Sequence, residues 1–132
     1  MPEGPEVKHV VDQLNKHVTE NICIIEDIKI HSGRYQRHGT PEGFEKIKFP
    51  CLLKSVHCKG KFIWFKFDNF TMWNTLGMSG QWGFNKSKHS HQEFVVKGGR
   101  NFFFTDTRCF GTLKFCFSIE ELKKKLDTIG PS

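Results

Sequence analysis

Val7, Val10, Val11, Leu14 and Val18 recur at i, i+3, i+4, i+7 and i+11, an apolar stripe that predicts an amphipathic helix running roughly from Pro5 to His17. Beyond it, to about residue 117, the period shortens. The runs NICIIEDIKI, LLKSVHC, KFIWFKF, TMWNTLGM, QWGF, EFVVK, NFFFTD and GTLKFCF read as short strands divided by turn residues, with KGGRN as a hairpin turn. Two polar stretches, SGRYQRHGTPEGF and NKSKHSHQ, read as surface loops. The run SIEELKKKL carries a Ser N-cap, acids in its first turn and lysines towards its end, and predicts a short closing helix stopped by Gly130 and Pro131. The expected fold is mainly β (α+β): a two-sheet antiparallel sandwich with an N-terminal helix and a short C-terminal helix.

At 132 residues the chain has the length of one domain. Twenty Lys and Arg against 14 acidic residues leave a net charge of +6, which favours a polyanionic partner, nucleic acid first. The same charge also fits a merely solubilising surface. Five cysteines, with no CxxC pair, read as reduced packing thiols of an intracellular protein, in nucleus or cytoplasm. His89 and His91 are the nearest approach to a ligand pair and one pair is weak, so neither metal nor cofactor is expected. No apolar run approaches a membrane span.

The first turn of the first helix carries the chemistry. With Met1 removed, Pro2 would present a secondary amine, and an α-amino group titrates at about pH 8, some two units below a lysine. Such an amine attacks aldehyde or acetal carbon. Glu3 and Glu6, three apart, share its side of the turn and suit proton transfer. The competing reading is structural, since Pro and Glu are common helix starters. Lys61, after a glycine at the head of an aromatic strand, suits either a solvated strand end or a phosphate contact. Met78, between two glycines, and Arg108 and Phe110, two apart and so able to point the same way, suit either packing or the filling of a gap in a DNA duplex.

In this order MPEGPEV, GKFIWF, LGMSG and TDTRCFG resemble the formamidopyrimidine-DNA glycosylase and endonuclease VIII family, over essentially the whole chain. The resemblance implies a bifunctional base-excision-repair glycosylase. Pro2 would attack C1′ of a damaged nucleotide, expel the base and form a Schiff base that undergoes β- and then δ-elimination. Glu3 would act on the ring oxygen, Glu6 would assist proton transfer and Lys61 would contact phosphate. Met78, Arg108 and Phe110 would fill the void and wedge the opposite strand; His89 and His91 receive no role. Gly4 leans towards the endonuclease VIII-like branch and oxidised pyrimidines.

Two departures qualify the resemblance. Cys109 stands where a second basic residue is usual, and residues 1–132 would correspond to the N-terminal catalytic domain alone, without a helix-two-turn-helix and finger half. The expected partner is damaged or abasic-site duplex, met by a monomer. The alternative function is a non-catalytic or inactive truncated DNA-binding domain.

Overall fold

The computed structural model describes residues 3–130. Helix α1 (Gly4–Glu20) buries Val7, Val11, Leu14 and Val18, so the predicted stripe is its inward face. Each such side chain contributes on the order of 1.5–3 kcal/mol relative to leaving it exposed. The helix runs a turn beyond the expected His17, because Val18 continues the stripe into the core. Asn15 fixes it to the sheet, its Oδ1 accepting from the Val56 N–H at 2.7 Å.

All the predicted strands form: β1 (Cys23–Ile30), β2 (Cys51–Lys59), β3 (Phe62–Phe67), β4 (Thr71–Thr75), β5 (Gly80–Gly83), β6 (Ser90–Val96), β7 (Phe102–Asp106) and β8 (Thr112–Cys116). Every pairing is antiparallel, in the order β5-β7-β6-β1-β2-β3-β4-β8. The two expected layers are thus halves of one hydrogen-bonded sheet folded on itself. The fold line lies at β1 and β2, which share three paired positions, Cys23 to Ile25 with Leu53 to Cys51. Register shifts on either side, at Ile25/Asp27 and Leu53/Ser55, bend the strands there. Trp82 of β5 closes the fold. Its ring packs 4.9 Å from Phe65 of β3, and its Nε1–H donates to Asn74 Oδ1 of β4 at 3.0 Å.

Between the layers lie the fully buried Ile25, Leu53, Ile63, Phe65, Met72 and Phe94. Helix α3 (Ile119–Asp127) starts as predicted, with the Ser118 side chain accepting from the Glu121 N–H. The stretch read as a loop from Ser32 contains a short helix, α2 (Arg34–Arg37), and a 3₁₀ turn, Phe44–Lys46. It is tied to β8. Tyr35 Oη donates to the Leu113 carbonyl and accepts from the Leu113 N–H, and the Phe115 N–H donates to the Glu42 carbonyl. The basic stretch NKSKHSHQ is loop only to His89; Ser90, His91 and Gln92 are buried in β6.

Candidate active site

Glu3 is the N-cap of α1, where a capping box joins it to Glu6, whose Oε1 accepts from the Glu3 N–H at 3.5 Å. That nitrogen belongs to the amide following Pro2 in the chain; Pro2 itself lies outside the described residues. The capping geometry therefore holds two carboxylates at the positive end of the helix dipole. The structural and chemical readings of Glu3 and Glu6 are compatible.

Lys61 sits in the β2–β3 turn after Gly60, whose φ of 59° is left-handed. Its Nζ reaches to 3.7 Å from Glu3 Oε2. Both side chains are largely exposed, so the pair contributes little to stability and is informative mainly about placement. Lys61 lines a cleft of about 490 Å³ with Lys59, Lys125, Phe62, Gly77 and Phe110, among others. Lys59 donates to the Leu126 carbonyl at 3.0 Å, and Lys125 lies over the Phe62 ring. A cleft that gathers three lysines with Phe62 and Phe110 suits a phosphate-bearing ligand.

An adjoining cleft is lined by Glu6, Val10, Met78, Ser79 and Gln81, and the two clefts share Leu76. The structure therefore brings Glu3, Glu6, Lys61, Met78 and Phe110 to one edge of the sandwich. Met78 is 50% and Phe110 57% exposed, the apolar tips of two facing loops. Arg108 is exposed beside Phe110. Their spacing in the sequence predicts that they point the same way by alternation, but Cys109 between them has a φ of 59° and makes a turn, so extended-strand alternation does not apply. His89 and His91 form no ligand pair. The His91 ring is occupied by Ser32 Oγ at Nδ1 and the Asp106 carbonyl at Nε2. Among the described residues no group of three or more His, Cys, Asp or Glu could hold a metal ion.

Residues 1–113 match the family described as the formamidopyrimidine-DNA glycosylase N-terminal domain. The chain belongs to that family. A formamidopyrimidine-DNA glycosylase of Ureaplasma parvum is 30% identical over 135 residues, which cover 97% of this chain and 47% of that protein. One from Bacillus subtilis is 30% identical over 138 residues, covering 99% and 49%. The fold is similar to the crystal structure of the Lactococcus lactis enzyme non-covalently bound to DNA containing an AP site. The TM-score is 0.79 at 23% identity, over 96% of this chain and 49% of that one. The chain spans about half the length of the curated relatives it matches.

The residues beneath the tips were not singled out by the sequence. Asp106, 1% exposed at the end of β7, accepts from Ser79 Oγ at 2.5 Å and from the Gly111 N–H at 2.8 Å. Gly77, with a φ of 61°, lies so close to the other loop that a Cβ there would stand 2.7 Å from the Phe110 carbonyl carbon. The one available signal was Asp106 itself, an Asp opening a turn.

Proposed function

We propose that this chain is the catalytic half of a base-excision-repair DNA glycosylase with AP-lyase activity, acting through the Pro2 amine. The observation that carries the reading is the convergence of the Glu3, Glu6 and Lys61 side chains with the exposed Met78 and Phe110 tips on two adjoining clefts. The amine adds to C1′ and loses its proton as the damaged base departs, and the C1′–O4′ bond then breaks with Glu3 protonating the ring oxygen, leaving an iminium. The resulting iminium draws electrons from C2′, whose proton loss drives β-elimination of the 3′ phosphate; δ-elimination of the 5′ phosphate follows. Glu3 acts on the ring oxygen, Glu6 moves protons near the amine, and Lys61 holds phosphate as a point charge. Met78, Arg108 and Phe110 occupy the gap left by the everted nucleotide, where buried apolar surface offsets the few kcal/mol of unstacking.

Oxidised bases are the proposed substrates. The lean towards the endonuclease VIII-like branch, and so towards pyrimidines, rests on Gly4. A Cβ at Gly4 would meet nothing within 4 Å, so packing does not dictate glycine there. The chain acts as a monomer inside the cell.

A second reading, a DNA-binding domain without turnover, is served equally well by the net charge of +6. Borohydride trapping on abasic-site DNA separates the two, after intact mass has established that Met1 is absent. The catalytic reading expects a covalent adduct that disappears when one residue is appended before Pro2. DNA binding by the native terminus with no adduct would leave the second reading.

A further inference from the structure

Met78 and Phe110 sit on different loops, 76–79 and 107–111, so their joint use depends on the register between those loops. One buried acid sets it. Asp106 Oδ1 accepts from the Ser79 hydroxyl, on the Met78 loop, and Oδ2 accepts from the Gly111 N–H, on the Phe110 loop. Ser79 Oγ also accepts from the Arg108 N–H at 2.9 Å, so one hydroxyl donates to the carboxylate and receives from the neighbouring loop. From behind, His91 Nε2 contacts the Asp106 carbonyl at 2.6 Å and Cys109 Sγ at 3.4 Å. A carboxylate this buried is costly to leave unmet, so separating the loops is disfavoured well beyond the loss of a surface contact.

We propose that Asp106 and Ser79 are positioning residues which fix the Met78, Arg108 and Phe110 tips in one arrangement before DNA arrives. The inference rests on the void-filling role given to those tips above. Its consequence is that recognition of a gap in the duplex avoids the cost of ordering two loops on binding.

The test measures affinity of the full chain, native terminus free, for a duplex with one abasic-site analogue and for the same duplex undamaged, and takes the ratio. Ser79→Ala is expected to lower that ratio about tenfold, the equivalent of one hydrogen bond to a charged group. Ser79→Thr, which keeps the hydroxyl, is expected to restore it, and Ser79→Ala is expected to cost less in a Phe110→Ala background than in the wild type. A wild-type ratio of one, unaltered by Phe110→Ala, overturns the void-filling role and this inference with it. A high wild-type ratio that falls in Phe110→Ala but not in Ser79→Ala overturns the positioning role alone. Where Asp106→Asn folds by circular dichroism, it is expected to match Ser79→Ala; an unchanged ratio again removes the proposal.

Discussion

Lys61 is the residue at which charge and cleft meet. With Nζ 3.7 Å from Glu3 and its stem along the cleft, Lys61→Ala is expected to weaken abasic-DNA binding or trapping while leaving the circular dichroism unchanged. The salt dependence of binding should also lose about one phosphate contact's worth of slope. Unaltered trapping and slope would remove Lys61 from the site. Gly77 answers to a different constraint. Its left-handed φ and close approach to Phe110 leave no room for a methyl group, so Gly77→Ala is expected to cost about 1–3 kcal/mol in denaturant unfolding. What the sequence disclosed at this scale was local: Lys61 after a glycine, Met78 between two, Arg108 and Phe110 two apart, without the left-handed turn at Cys109 between them. Asp106 was opaque because its partner Ser79 lies 27 residues earlier, and no local pattern encodes that contact.

Among the elements, those with a simple period were legible. The α1 stripe and the strands were readable because each buries one or both faces of a regular backbone. Less legible was the segment holding α2, whose order comes from Tyr35 meeting Leu113, 78 residues away. The single folded sheet was hidden for the same reason, since its halves join where Cys23 to Ile25 pair with Leu53 to Cys51, far apart in the chain. Helix α3 depends on its cap. Ser118→Ala is expected to cost about 1 kcal/mol and to loosen the wall carrying Lys125 and Ile129, seen as faster amide exchange over residues 119–127.

For the molecule as a whole, acid sensitivity should centre on Glu93. The hydrogen bond from His31, chiefly, holds its carboxyl below the usual carboxylate range, with Asn101 assisting against the opposing effect of burial. A depressed folded value contributes stability that is fully present above the unfolded pKa, about 4.3, and is lost as pH falls through the folded one. The stability difference between wild type and Glu93→Gln is therefore expected to be constant near neutrality and to shrink below about pH 4. A gap that persists at low pH in urea titrations would assign the acid limb to other groups.

The bonds that Tyr35 and Glu42 make to β8 reach further than the loop they anchor. An eight-stranded sheet folded rather than closed has two outer strands, and each is an invitation to a guest strand from another molecule. On β8 the Leu113 and Phe115 amides are already taken by Tyr35 and Glu42. On the far side β5 offers four residues, with a glycine at each end. The protein thus leaves little ladder on which a further strand could add.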